Sequence, residues 1–353
     1  MAHPAVLRSV SSTAVLVLLS LKGWRRRAHT TQPRTAPNTT LTPEERYVPL
    51  RKSPWLFASL LRDEWLAPEA REVSKAAWEG YLHDAVRRES AGVYSFELFS
   101  KAFCDIFMKE IDNYDSSGLP VRRPNSMNNY GLIVNEIGLK EAITELQQEI
   151  LWPVARLLWP LEATRFEAHH SFVVRYRSDE DPGLDMHTDD SDVTFNVCLN
   201  SNFTGAGLTF CGDAGSSKHR KFAFRYNHEM GRVVVHLGTK RHGADDIEDG
   251  ERRNLIIWNH NHRWRASRTY HRRRTRYARE KGEPDLDCVS YTHDRDYGAF
   301  KPHTETTREH AVRPWCPPEQ ACYDTMGERL LEDEYSYYGG RPRRRSKGMC
   351  PVA

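Results

Sequence analysis

Between residues 171 and 258 the chain falls into short β-rich runs, Ser171–Tyr176, Val193–Leu199, Gly207–Cys211, Val233–Leu237 and Arg253–Trp258, set apart by Gly, Asp and Asn. Runs this short, rich in Val, Ile and aromatic residues and bounded by turn formers, pair as antiparallel strands and form a barrel or a sandwich. The segments before them are helical in pattern. Phe103, Ile106, Phe107 and Ile111 recur on one helix face, and Ile143, Leu146, Ile150, Leu151 and Val154 do so between about Leu139 and Leu158. Such faces need a sheet to cover, which makes the fold class α+β with helices on one side of the sheet. A short strand is expected at Val93–Phe99, and two helices separated by Ala67-Pro68 between Pro43 and about Gly92, through Trp55, Leu56, Leu60, Leu61, Trp65, Ala77, Trp78 and Leu82.

Composition divides the rest. No Asp or Glu precedes Glu44, whereas Arg8, Lys22, Arg25, Arg26, Arg27 and Arg34 do, amid many Ser and Thr. Residues 1–43 therefore read as a targeting leader or a disordered tail. An organelle transit peptide and a secretory signal fit equally, and the cytoplasm is the destination otherwise. The apolar run Ala14–Leu21 is far shorter than the roughly 20 residues that a membrane-spanning helix needs, so no transmembrane span is expected. Residues 44–94 form a helical N-terminal region, 95–262 the main domain, and 263–353 an Arg-rich extension without sustained apolar periodicity, ending in the basic run Arg341–Lys347. The net charge of +3 excludes a strong overall field for nucleic acid or membrane, yet the Arg-rich runs offer local sites for an anionic partner, with a solvated tail as the plainer reading. Seven cysteines without a CxxC pair point to neither a zinc ribbon nor a disulfide scaffold, and leave room for a disulfide in the last third in an oxidising compartment.

Chemistry concentrates in Asp185-Met-His187-Thr-Asp189-Asp-Ser-Asp192 and in His242, 53 residues beyond Asp189. Positions i and i+2 of an extended chain point to the same side, so His187 and Asp189 can reach one ion, and a third ligand must come from another strand. Two imidazoles and one carboxylate make the facial triad of non-haem iron(II) oxygenases, which leaves positions open for other ligands. Taken alone, a His-x-Asp pair is as readily a polar loop. His236 competes with His242 for the third place but sits inside an apolar strand, where a packing role suits it.

The text after the strand at 233–237 decides more. His242 is followed eight residues later by Gly250, ten residues later by Arg252, and then by a closing apolar strand. That order resembles the prolyl 4-hydroxylase-like branch of the 2-oxoglutarate oxygenases. Gly250 is expected to make the turn between the last two strands, aiming Arg252 inward. Arg253 then faces the opposite side by strand alternation.

Further upstream, Arg123-Pro-Asn-Ser-Met-Asn-Asn-Tyr-Gly131, Phe172–Tyr176, Thr194–Leu199 and Phe203–Phe210 resemble the 2-oxoglutarate and iron-dependent oxygenase domain-containing protein 2 family over roughly residues 95 to 262. Two positions depart from that pattern: Gly205-Ala206, where the family commonly reads Gly-Gly, and Asp246, where it commonly has Pro.

The resemblance implies a double-stranded β-helix (jelly-roll) barrel. It implies iron(II), Fe(2+), held by His187, Asp189 and His242, with the distal carboxylate of 2-oxoglutarate on the guanidinium fork of Arg252. Dioxygen, O2, is then consumed, succinate and CO2 are released, and a C–H bond is hydroxylated, with a prolyl or lysyl residue of a protein or peptide as substrate and L-ascorbate as an accessory ligand. Relatives often carry a Tyr where Cys198 stands. Tyr176 or Asn196 is the expected substitute, each equally readable as a satisfied core polar group, with Thr194, Asn196 and Cys198 on the pocket-facing side of their strand. Asn125, Asn128, Asn129 and Tyr130 either line the entrance or form an Asn-rich turn. Two rival readings are a barrel that binds without turnover and acts through its basic tail, and a cupin-like enzyme using another metal. The second gives no reason for an Arg ten residues past the last ligand.

Overall fold

The computed structural model describes residues 41–275, 278 and 282–290. The leader with its run at 14–21, Tyr277, Trp315, Cys316, Cys322, Cys350 and Arg341–Lys347 lie outside the described residues.

The described residues open with α1 (Pro43–Tyr47) and α2 (Ala70–Trp78), then the hairpin β1 (Arg87–Ser90) and β2 (Val93–Glu97), α3 (Lys101–Asp115) and β3 (Gly131–Ile133). Helices α4 (Lys140–Leu146) and α5 (Trp152–Leu158) are joined by a π-helical stretch, Gln147–Leu151. Next come β4 (Ala168–Arg177), β5 (Leu184–His187), β6 (Val193–Cys198), β7 (Phe203–Gly205) and β8 (Leu208–Asp213). The last strands are β9 (Phe222–Tyr226), β10 (Arg232–Leu237), β11 (Lys240–Ala244) and β12 (Ile247–His260), followed by α6 (His262–Arg265) and α7 (Arg268–Thr275).

All strand pairings among the described residues are antiparallel. The larger sheet runs β1-β2-β10-β6-β12-β4-β3, with β7 on the early part of β12, and the smaller runs β5-β11-β8-β9. Strand alternation gives the larger sheet two apolar faces. Phe195, Val197, Val233, Val235, Leu255 and Ile257 pack on one side with Phe103, Phe107 and Ile111 of α3 and Ile143, Leu146 and Val154 of α4 and α5. Phe172, Val174, Val234 and Ile256 turn the other way and meet Leu208, Phe210, Tyr226 and Ala244 of the smaller sheet. The protein is thus layered helix, sheet, sheet, and each large apolar side chain buried in these interfaces contributes on the order of 1.5–3 kcal/mol.

Several expectations change on contact with the structure. The first of the two helices expected between residues 43 and 92 is broken into α1 and 3-10 turns at Val48–Leu50 and Pro54–Phe57. Pro49 and Pro54 supply no N–H and restrict the residue before them, so a longer helix cannot form. Trp55 in the second of these turns lies at the surface, as do Trp78 at the end of α2 and Leu82 beyond it. Gly250 does not make the turn between the last two strands. It lies within β12 at φ +82, opposite Phe203 of β7, where a Cβ would fall 2.2 Å from the Asn202 carbonyl oxygen. Finally, part of the Arg-rich stretch is packed: α7 docks through Arg273 on Glu162 (2.5 Å), and Cys288, Val289 and Ser290 are buried. Cys288 forms a disulfide with Cys211 of β8, next to Met186 of β5. Among the described residues no helix is long and apolar enough to cross a membrane.

Candidate metal centre

His187 closes β5 and His242 lies in the middle of β11, and the two are directly paired across these strands. Asp189 follows on the loop, where its backbone N–H donates to the Gly238 carbonyl (2.9 Å). Gly238 allows that close approach, since a Cβ there would fall 1.9 Å from the Ser191 carbonyl oxygen. The Nε2 atoms of His187 and His242 stand 3.5 and 3.7 Å from Asp189 Oδ1. One donor atom from each of the three residues lies within 4.8 Å of the others, a set that could hold a metal ion.

The surroundings fix these side chains. His187 Nδ1–H donates to the Asp185 carbonyl (2.7 Å) and His242 Nδ1–H to the Lys240 carbonyl (2.9 Å), so each ring turns a lone pair on Nε2 toward Asp189. Thr194 Oγ donates to Asp189 Oδ2 (2.6 Å), leaving Oδ1 for the shared space. Burial works to raise the Asp189 carboxyl, but the His242 and His187 imidazoles outweigh it and the net shift is downward, which keeps the carboxylate ionised. Burial drives His242 the other way, down to about 3, with Asp189 opposing, so its imidazole is neutral at physiological pH. Neutral imidazoles and an ionised carboxylate are the protonation states that bind a metal. His236, on the inner face of β10, packs its ring 4.6 Å from that of His242 and donates Nδ1–H to the Leu237 carbonyl. It is a neighbour of the triad and not one of its grouped donors.

A pocket runs from the triad along the inner face of β12, lined by Tyr176, Thr194, Asn196, Arg252, Ile256 and Trp258 among others. Arg252 is about 1% exposed. Its guanidinium lies 4.4 Å over the Tyr176 ring, donates to the Ala206 carbonyl, and leaves Nε without a partner. Among the described residues it forms no ion pair. The nearby Asp245 is engaged by Arg225 (3.0 Å) and by Thr209 (2.7 Å). Burial pulls the Arg252 guanidinium below its usual range, the mark of a cation lacking its counter-ion. Arg253 faces the opposite side, as strand alternation requires, and pairs with Asp112 of α3 and with Glu251 at 2.5 Å each.

Of the other residues singled out in the sequence, Tyr176 and Asn196 both reach the pocket. Tyr176 accepts from Asn128 Nδ2 (3.1 Å), and Asn196 Oδ1 accepts from Asn254 Nδ2 (2.5 Å). Asn125 and Asn128 line it, whereas Asn129 binds Asp181 (2.9 Å) and Tyr130 sits near the Arg175 guanidinium (5.7 Å), away from the lining. Cys198 is buried, with its thiol on the Asn200 carbonyl (3.1 Å). Sequence reasoning placed Thr194 on this face but missed its bond to Asp189. It also missed the aromatic wall near the triad, where Phe172 meets Trp258 edge-on with centroids 5.0 Å apart.

Residues 45–163 match the OGFOD2-like domain family. The chain is 34% identical over 192 residues to the 2-oxoglutarate and iron-dependent oxygenase domain-containing protein ICU11 of Arabidopsis thaliana, covering 51% of this chain and 48% of that one. It is 35% identical over 208 residues to the Homo sapiens 2-oxoglutarate and iron-dependent oxygenase domain-containing protein 2, covering 56% and 59%. Procollagen-lysine,2-oxoglutarate 5-dioxygenase 1 of Mus musculus is 28% identical over 151 residues, 37% of this chain and 21% of that one. The chain therefore spans about half the length of the first curated relatives it matches. A Pseudomonas putida prolyl-4-hydroxylase structure covers 54% of this chain and 98% of its own at 15% identity, with a TM-score of 0.36.

Proposed function

We propose that this chain is an iron(II)- and 2-oxoglutarate-dependent oxygenase, with His187, Asp189 and His242 as the metal ligands and Arg252 as the anchor of the oxoacid. The observation that carries this reading is Arg252 itself, a buried guanidinium with no ion pair among the described residues and an unpartnered Nε, in the same pocket as the triad. A dicarboxylate with one end at the triad and the other at Arg252 would supply the missing counter-charge. In this reading the two facing sheets are the halves of a double-stranded β-helix barrel.

Bound iron(II) would supply activation of dioxygen, coupling conversion of 2-oxoglutarate to succinate and CO2 to hydroxylation of a C–H bond. The chain's own residues orient and exclude. Thr194 holds Asp189 in one rotamer, the backbone carbonyls of Asp185 and Lys240 set both imidazole tautomers, and Tyr176 and Asn196 flank the oxoacid. Phe172, Trp258 and Met127 make an apolar wall that would exclude water around the reacting substrate.

The substrate in this proposal is a prolyl or lysyl residue of a protein. The name of the mouse procollagen-lysine relative supports the lysyl choice. L-ascorbate belongs to the proposal only as an accessory reductant, with no residue assigned to it. An anionic partner for the basic stretch rests on exposed Arg263, Arg268 and Arg272. The test of the cosubstrate assignment is calorimetric titration of 2-oxoglutarate into the manganese(II)-loaded chain without oxygen. Arg252→Lys is expected to weaken binding at least about tenfold, since a point charge cannot reproduce a two-pronged contact. Unchanged affinity would refute the assignment.

A further inference from the structure

Beyond Arg252 the inner face of β12 carries Asn254, and against it lies His228, in the connection from β9 to β10. Asn254 Nδ2 points at His228 Nδ1 (3.4 Å) while also donating to Asn196 Oδ1, so His228 Nδ1 is an acceptor in this network. A neutral imidazole that accepts at Nδ1 carries its proton on Nε2. That Nε2 is buried and has no partner. Burial, with the Arg252 charge acting in the same direction, holds the ring neutral. Tyr226 packs edge-on against it with centroids 5.4 Å apart, which limits its rotation.

Two buried donors, Arg252 Nε and His228 Nε2–H, thus lack acceptors among the described residues, and the Arg252 charge lies near enough to act on the His228 ring. Each unsatisfied buried donor costs on the order of 1–3 kcal/mol, a cost that an acceptor reaching both would relieve. We propose that His228 is a second binding residue for the distal carboxylate of the oxoacid, donating from Nε2 to one oxygen of the carboxylate that the Arg252 fork engages. The inference rests on the oxygenase reading above. The β9–β10 connection thereby supplies a neutral donor near Arg252, where β6 offers only the buried Cys198 thiol, bound to the Asn200 carbonyl. Asn196 then has a structural task as well, since its Oδ1 orients the Asn254 amide that sets the His228 tautomer.

The test compares two probes on the manganese(II)-loaded full chain without oxygen: 2-oxoglutarate, and 2-oxopentanoate, which has the same oxoacid end and chain length but no distal carboxylate. His228→Phe is expected to weaken 2-oxoglutarate about tenfold and leave 2-oxopentanoate unchanged. His228→Gln, which can place an amide donor near Nε2, should recover most of the loss, and His228→Leu gives the same readout as the phenylalanine if that ring does not pack. Unchanged 2-oxoglutarate affinity, or an equal loss for both probes, overturns the proposal. A wild-type chain that does not discriminate between the two probes overturns the oxygenase reading itself, and this inference with it.

Discussion

His187 and His242 stand directly opposite each other on β5 and β11, and each donates Nδ1–H to the backbone carbonyl two residues before it. The pairing of two strands therefore sets the spacing, tautomer and direction of both imidazoles without recruiting another side chain. Only Asp189 needs such help, and Thr194 provides it.

Thr194→Val keeps the shape and removes that hydrogen bond. Manganese(II) affinity is expected to fall about tenfold, within the range for partners of metal ligands, with little change in fold. Thr194→Ser should restore it. The measurement is calorimetric titration of all three chains, and equal affinities would show that Asp189 is held by backbone alone.

Ala206 is the only non-glycine among the described residues with positive φ, +51, and its carbonyl accepts from Arg252. An L side chain pays for that conformation with about 1 kcal/mol that glycine avoids. Ala206→Gly removes the Cβ at that position. It is expected to raise the melting temperature by a few degrees, offset in part by the greater freedom of the unfolded chain. A lower melting temperature would mean that burial of the methyl group outweighs the backbone strain.

The Cys211–Cys288 disulfide closes a separation of 77 residues and pins the segment 282–290 to the smaller sheet beside Met186. Cys288→Ser, or reduction of the wild type, is expected to cost about 2–4 kcal/mol of stability. The same loss should follow truncation after residue 265, which also removes the Cys288 carbonyl that accepts from Arg241 (3.1 Å). Urea midpoints of the oxidised and reduced chains decide this, and identical midpoints would show that the bond adds nothing.

His169 lies between Ser171 Oγ (2.7 Å) and Thr144 Oγ (3.0 Å) of α4, and burial depresses it to about 4. Below an unfolded value of about 6.5 the unfolded chain takes up a proton that the folded chain refuses, so this contribution is complete above that pH and is lost as pH falls toward 4. Replacing His169 by Gln removes the titration. The wild type should therefore lose more stability than His169→Gln between pH 7 and 5, measured as the difference in urea midpoints. Parallel pH profiles would contradict the assignment.

The residues of the candidate site stand out in the sequence more plainly than the strands that carry them. The β6, β10 and β12 segments announce themselves because one face of each is buried under helices and reads as Val, Ile, Leu and Phe. Strands β5 and β11 do not, since Asp185, His187, Lys240 and His242 break the apolar pattern that marks a strand. Their polar residues are the ones whose spacing singled out the triad. Arg252 stands out through its offset from His242 and the resemblance that offset carries, with alternation separating it from Arg253, while Thr194's bond to Asp189 and the donor at His228 depend on side chains meeting from distant segments, which no local pattern records. Gly250 was misplaced because a glycine bend inside a strand and a turn between strands look alike in sequence.

The central claim is that the triad and Arg252 together perform oxoacid turnover, and the direct measurement is succinate formation from 2-oxoglutarate by the purified chain under air. The account predicts formation that requires added iron(II) and oxygen, falls at least about a hundredfold in His242→Ala, and falls in Arg252→Lys in a way that higher 2-oxoglutarate partly recovers. Succinate formation that persists in His242→Ala, or its absence from a folded, iron-loaded wild type offered prolyl and lysyl peptides, would contradict it.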